Sequence, residues 1–436
     1  MELIIALGIF ICAVVACLLT SHSVVFALMV GFVVFAIVGI RMGNKPGEVM
    51  KMAAGGAKDA MIVVEIVIMI GFMTGLWRAS GTITFFVYYG ISVMTPSLFI
   101  LIAFIMCLIL AYVMGNSFGT VGTMGLMLMA IAHGGNVDPI VTAGAIVSAA
   151  YFGDRTSPMS STAILVANIT HVDLMELVPK LMKTNIIPLL LCFGLYTFLS
   201  FKNPIQVVDD SIMNALATDF SLSPLTLIPV IFAIALPILR FDIRWAFICG
   251  IISSAIIAIA IQGASFMDVI TWSIMGYTPD SPSLQEVISG GGFIDMWIVA
   301  VMVTIACSIS GIFKGTNMLN TIQAHVGTMM SRLGRFVTTL IMSTLVAAIF
   351  CSQTIAVMLS KDLLQKPFND NGGEDMELAV DLSNAGVLTS AVVPWNVAIA
   401  VPLAMLGVGP SAIAWAFYLY LVPIIYIFTK RFLYKK

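Results

Sequence analysis

Apolar runs follow one another along almost the whole chain with only short turns between them, and that succession leaves few folds open. They occur near residues 3–20, 23–40, 60–77, 97–114, 139–166, 186–201, 225–239, 245–262, 293–312, 336–350, 379–408 and 411–430. A helix needs about 20 apolar residues to cross a bilayer, fewer where it is broken. Two further stretches, 117–132 and 352–365, are short and rich in Gly or polar residues, and read as full spans or as hairpins that dip in and return. Residues 81–95 are equally open. Charged residues are 10 % of the chain and hydrophobic ones 60 %. A soluble domain carries about 25 % charged residues, so lipid must cover this apolar surface. The expectation is an all-α polytopic membrane protein with roughly 12–14 transmembrane segments, some broken or re-entrant.

Basic residues orient the spans, because Lys and Arg collect on the cytoplasmic side. Arg41, Lys45, Lys51 and Lys58 follow the second run; Lys180 and Lys183, Arg240 and Arg244, and Arg332 and Arg335 form later clusters; Lys430, Arg431, Lys435 and Lys436 end the chain. The segment 263–292 holds Asp268, Asp280 and Glu286 and no Lys or Arg. Placing every basic cluster inside gives cytoplasmic N- and C-termini in a multi-pass protein of the plasma (inner) membrane. The opening Met1-Glu2-Leu3 lacks a basic n-region, so residues 3–20 read as a retained span.

The two halves resemble each other at an offset of about 236 residues. Gly75-Leu-Trp-Arg78 matches Gly311-Ile-Phe-Lys314, and Phe99–Thr120 matches Phe336–Ala356, which sets Ser117 opposite Gln353. Ala143-Gly144, Ser148 and Pro158 match Ala385-Gly386, Ser390 and Pro394, and Pro46-Gly-Glu-Val-Met echoes Phe266-Met-Asp-Val-Ile. The loop 41–58 is basic and its counterpart 263–292 is acidic, so equivalent loops face opposite sides. The expected organisation is a first inverted repeat over 1–202, a connecting loop over 203–224 and a second repeat over 225–436. Inverted repeats with helices broken at the midplane are a recurrent transporter design, since exchanging the repeats' conformations gives alternating access.

Polar residues inside spans need a reason, because a charge at a helix centre costs about 2.5–3.5 kcal/mol on insertion scales. The densest set runs from Ser148 through Gly153-Asp154-Arg155-Thr156-Ser157-Pro158 to Ser160-Ser161-Thr162. Pro158 removes a backbone donor and Gly153 is expected to let the chain turn, so the helix should unwind here and present carbonyls, hydroxyls and the Asp154 carboxylate to an ion or substrate. A bland alternative is that Asp154 and Arg155 pair and only lock the fold. The mate in the second half holds Asp381, Ser383, Asn384, Thr389, Ser390, Pro394, Trp395 and Asn396, with Asp381 at its mouth. Asn116-Ser117-Phe-Gly-Thr120 and Ser352-Gln353-Thr354 should face these two breaks and complete one site. Glu65 reads equally as a proton carrier and as a snorkelling structural residue.

Other signals are weak. Cys12, Cys17, Cys107, Cys192, Cys249, Cys307 and Cys351 show no ligand spacing and read as small packing residues. His22, His133, His171 and His325 lie near span ends, and the sequon at Asn168-Ile-Thr170 falls at a boundary expected to be inside. No phosphate-binding loop, Ser-His-Asp order or zinc motif appears, so an enzyme is not expected. A passive channel is disfavoured by the two blocked breaks. No cofactor is expected, with Na⁺ as a coupling ion. The expected partners are a small ion or small-molecule substrate, the bilayer and a second copy in a homodimer, with no nucleic acid.

At Ser117-Phe-Gly-Thr120, Gly144–Ser160, Thr389-Ser390 and Val393-Pro-Trp-Asn396 the chain resembles the NhaC family of Na⁺/H⁺ antiporters. The resemblance covers most of the chain. It implies a secondary antiporter working by alternating access on Na⁺ or H⁺, with a small organic solute such as an amino acid or carboxylate as the alternative cargo. In that family the first polar segment reads approximately Gly-Asp-Lys-Met-Ser-Pro-Leu-Ser-Asp-Thr-Thr. Asp154 keeps the first acid, whereas Ser161 stands at the second, and Asn384 stands where the family has an Asp in the other half.

Overall fold

The computed structural model describes residues 2–20, 23–93, 95–205, 210–239, 241–281, 284, 285, 288–316 and 320–433. His22, Arg240, Glu286, Lys435 and Lys436 lie outside the described residues, as does the His325 side chain. The described chain is almost entirely helical, and five helices are long and apolar enough to cross a membrane unbroken: Val24–Arg41, Pro96–Met114, Leu174–Lys202, Ile243–Ala260 and Phe293–Thr316. The protein is an all-α polytopic membrane protein.

Two helices begin earlier than the apolar runs they contain. Pro46–Ala79 is one long helix, bent by 45° between Pro46–Lys58 and Val63–Ala79. Its start is set by Pro at the first helical turn and a capping box in which the Glu48 carboxylate accepts from the Lys45 backbone N–H. Leu174–Lys202 starts at an Asp173 cap, so Lys180 and Lys183 lie on the helix and not in a loop. The ambiguous stretches all resolve as helices. Thr82–Val93 is one, Gln353–Asp370 is another, and 117–134 runs through one π turn at Val121–Gly125.

Three helices fall where loops were expected. Asp210–Asp219 occupies the connecting segment, Phe266–Met275 the acidic segment, and Asn320–Leu333 the approach to the Arg332–Arg335 turn. Phe266–Met275 is fixed by a reciprocal capping box between Ser265 and Asp268. The Ser265 hydroxyl and backbone N–H hold the Asp268 carboxyl below its usual range.

Small residues set the central helix crossing. Gly56 and Gly311 bring Pro46–Ala79 against Phe293–Thr316 so closely that a Cβ on Gly56 would strike the Cys307 carbonyl. Without water to squeeze out in lipid, such backbone-to-backbone packing is a main source of helix association.

Two pairs of positions about 236 residues apart follow the same local path. Gly115 and Cys351 each end a helix in the left-handed region, at φ +62° and +53°. Ser160 and Asn396 each cap a nine-residue helix, Ser161–Ile169 and Val397–Met405, at φ −72° and −74°.

Candidate functional site

The helix Pro139–Thr156 ends where Pro158 forbids its continuation, and Ser161–Ile169 restarts it after a four-residue break. The Ser160 hydroxyl caps the restart, accepting from the Thr162 and Ala163 N–H groups at 3.1 and 3.2 Å, while donating to the Asp154 carbonyl that the break sets free. Gly153 does not turn the chain. It lies inside the helix, where its missing side chain lets the backbone pass directly over Ala111. The turn at Gly115 packs on the break: Ser157 Oγ donates to the Tyr112 carbonyl at 2.6 Å, and any Cβ at Gly115 would overlap the Met159–Ser160 peptide.

Asp154 is 4 % exposed and sits at the centre of this packing. Thr162 Oγ1 donates to both carboxylate oxygens at 3.3 and 3.2 Å, and Gln353 Nε2 donates to Oδ2 at 3.1 Å. The Ser117 backbone N–H, opening its own helix, faces the same carboxylate. Gln353 also reaches the Val387 carbonyl at 3.3 Å. Among the described residues no Lys, Arg or His nitrogen pairs with Asp154. The alternative in which Asp154 and Arg155 form an ion pair is therefore excluded in this conformation. Adjacent residues diverge by about 100° around a helix, which accounts for the separation.

Arg155 points the other way and is fully buried. Its guanidinium donates to Asn384 Oδ1 and Asn185 Oδ1, to Thr184 Oγ1 at 3.1 Å and to the Leu181 carbonyl at 3.2 Å. The Tyr418 ring lies beneath it at 5.7 Å and the Tyr418 hydroxyl donates to Asn185 at 2.6 Å. Thr156 accepts from Asn185 Nδ2 at 3.0 Å, so it belongs to this second cluster and not to the Asp154 shell.

The remaining predicted residues divide clearly. Asn116 caps its helix by accepting from the Gly119 N–H at 3.2 Å, and the Thr120 hydroxyl donates back to the Asn116 carbonyl at 3.0 Å. Trp395 and Asn396 tie the second break to the Cys351 turn, donating to the Ala348 and Ala347 carbonyls at 2.7 and 2.9 Å. Ser390 bonds within its own helix at 2.7 Å, and Ser148 meets the Tyr196 hydroxyl at 2.6 Å; neither reaches Asp154. Thr389 Oγ1 is buried without a partner. Ser161 and Thr354, each in the first turn of its helix, are exposed. Glu65 is exposed and pairs with Arg244 at 3.3 Å.

One charged cluster was not anticipated. Asp381 is fully buried; it bonds Lys430, and Tyr426 OH donates to it at 3.0 Å. Lys430 also meets Glu377 at 2.8 Å, and Glu377 receives Arg335 at 2.9 Å. A cavity of about 590 Å³ opens beside Arg335, Glu377 and Lys430, and another of about 480 Å³ beside Arg78, His133 and Asp295; neither is lined by Asp154. No group of three or more His, Cys, Asp or Glu able to hold a metal occurs among the described residues.

The chain is similar to known antiporters along most of its length. The chain is 26 % identical over 403 residues to the malate-2H⁺/Na⁺-lactate antiporter of Bacillus subtilis (strain 168), covering 91 % of this chain and 86 % of the relative. It is 26 % identical over 377 residues to the Na⁺/H⁺ antiporter NhaC of Alkalihalophilus pseudofirmus, covering 84 % and 81 %. The arginine/ornithine antiporter ArcD of Halobacterium salinarum is 28 % identical over 353 residues, covering 76 % and 70 %. The model of the Na⁺/H⁺ antiporter family matches residues 2–173 and 149–430, so the chain belongs to that family of secondary antiporters and is not an enzyme.

Proposed function

We propose that the protein exchanges a small cation, Na⁺ or H⁺, across the plasma membrane by alternating access, with Asp154 as the group that binds it. The observation that carries this reading is the state of Asp154: buried, hydrogen-bonded by Thr162 and Gln353, and without a basic partner. A carboxylate in that position gains most from neutralisation, which either a proton or a dehydrated Na⁺ provides. The two cargoes then compete for one charge, and exchange is obligatory when the bare, buried carboxylate cannot change sides unloaded.

The halves over 1–202 and 225–436 act in this reading as repeats of opposite orientation, with both termini cytoplasmic. The matched turns at Gly115 and Cys351 and the matched caps at Ser160 and Asn396 support the repeat, and the opposite charge of the loops 41–58 and 263–292 supports its inversion. Because Gln353 holds Asp154 from the opposite half, moving one half against the other changes the carboxylate's donors and hence its affinity.

The test is a Na⁺ pulse on proteoliposomes containing the protein and a pH-sensitive dye. Wild type should alkalinise or acidify the lumen in proportion to the Na⁺ gradient, and Asp154→Asn should not. Undiminished exchange in Asp154→Asn would move the cation site elsewhere. An organic counter-substrate is the second reading, favoured by one observation: the buried guanidinium of Arg155, which has no acidic partner.

A further inference from the structure

We infer that Arg155, together with Asn384, forms an anion site for the carboxylate of a small organic substrate. The inference deepens the antiport reading and rests on it only for the transport step.

Arg155 and Asn384 are each 0 % exposed, so water does not stabilise the guanidinium charge from bulk. Every acceptor it meets is neutral: two side-chain amides, one hydroxyl and one backbone carbonyl. No Asp or Glu pairs with it among the described residues. The accounting of donors is more telling. Arg155 Nε and Asn384 Nδ2 are both buried with no acceptor, and the two side chains touch through the Arg155–Asn384 hydrogen bond. A buried polar atom left without a partner is rare and asks for an explanation. Here both orphans are N–H donors, next to a fixed positive charge, so the missing partner is an acceptor that carries negative charge. A planar carboxylate, with two oxygens and about four lone-pair sites, suits a guanidinium edge and an amide together. A halide offers the same charge without the fork. The shared chemistry is a monovalent anion.

The arrangement gives consecutive residues opposite preferences, a cation at Asp154 and an anion at Arg155. Both clusters also cross between the halves, through Gln353 in one case and through Asn384 and Tyr418 in the other.

The experiment uses the purified full-length protein in a chloride-free sulfate buffer at fixed Na⁺. Sodium L-lactate and sodium chloride are titrated separately, against a constant Na⁺ total, with binding read by calorimetry. Saturable lactate binding is expected. Asn384→Asp, which sets the chain's own carboxylate against the guanidinium, should weaken it about tenfold or more while the protein still elutes as a single species. Arg155→Gln should weaken it likewise. Binding of chloride alone, with no binding of lactate, would overturn the assignment to an organic carboxylate. If neither anion binds wild type, or if Asn384→Asp binds lactate as tightly as wild type, the site is wrong. Na⁺ exchange by wild type that binds neither anion would leave the Asp154 reading intact, and anion binding without any Na⁺ flux would sink that reading alone.

Discussion

The side-chain amide of Gln353 donates to the Asp154 carboxylate across 3.1 Å, although 199 residues separate them. This bond joins the break in the first half to the first turn of Gln353–Asp370 in the second. A hydrogen bond to a charged group contributes about 1.5–3 kcal/mol net. Gln353→Ala should therefore lower the melting temperature of the purified protein, and should lower it less in an Asp154→Asn background, where the acceptor carries no charge. The two losses should differ by a coupling of about 1–3 kcal/mol for groups in direct contact. Strict additivity would show that the two side chains act independently.

Gly55 and Gly56 are neighbours on one helix with opposite surroundings. A Cβ on Gly56 would collide with the Cys307 carbonyl, whereas a Cβ on Gly55 meets nothing within 4 Å. Gly56→Ala should destabilise the protein by about 1–3 kcal/mol, the usual cost of overpacking. Gly55→Ala should be neutral or slightly stabilising. Equal thermal shifts for the two variants, measured by intrinsic fluorescence, would contradict the packing described.

Lys430 is the one ammonium among the described residues that Glu377 and Asp381 share, and their side chains are 6 % and 0 % exposed. Lys430→Ala strands Asp381 with Tyr426 alone and should cost about 3–5 kcal/mol, the range for breaking a buried pair. Adding Asp381→Asn removes the stranded charge and should recover part of that loss. Yield of monodisperse protein after detergent extraction gives the readout, and failure of the second change to help would argue against the pair.

Ser160 and Ser161 separate a structural hydroxyl from an idle one. Ser160 is buried and caps its helix, while Ser161 is exposed. Ser160→Ala should cost about 1 kcal/mol as a lost cap. It should also slow Na⁺ exchange, because the cap orients the Asp154 end of the break. Ser161→Ala should leave both unchanged; comparable losses from the two would mean that the break moves as one unit.

The break itself was legible in the sequence, because Pro158 and the run of hydroxyls admit few other conformations. Gly153 was misread for a physical reason: glycine marks either a turn or a close helix contact, and only the position of Ala111 decides which. The helix Phe266–Met275 was missed although Ser265 and Asp268 carry a capping-box spacing, since a ten-residue segment gives a weak periodic signal. The cage around Arg155 was beyond local reading. Thr184 and Asn185 stand out as polar residues at the start of an apolar run, but their partner lies 29 and 30 positions away. The Lys430–Asp381 bond spans 49 positions, and nothing in either segment alone names the other.

The glycine crossing has a consequence for how the protein is made. Pro46–Ala79 finds its closest backbone partner in Phe293–Thr316, whose synthesis comes long after its own. At about 5–20 residues per second, the interval from Gly56 to Gly311 lasts on the order of 10–50 s. Throughout it, the seam at Gly56 is left to water, lipid or a provisional neighbour. The late helix must displace that occupant, which makes biogenesis a competition between insertion and premature association. A ribosomal pause before residue 293 would lengthen the exposure, and a nascent chain truncated there would be the natural client of a membrane chaperone.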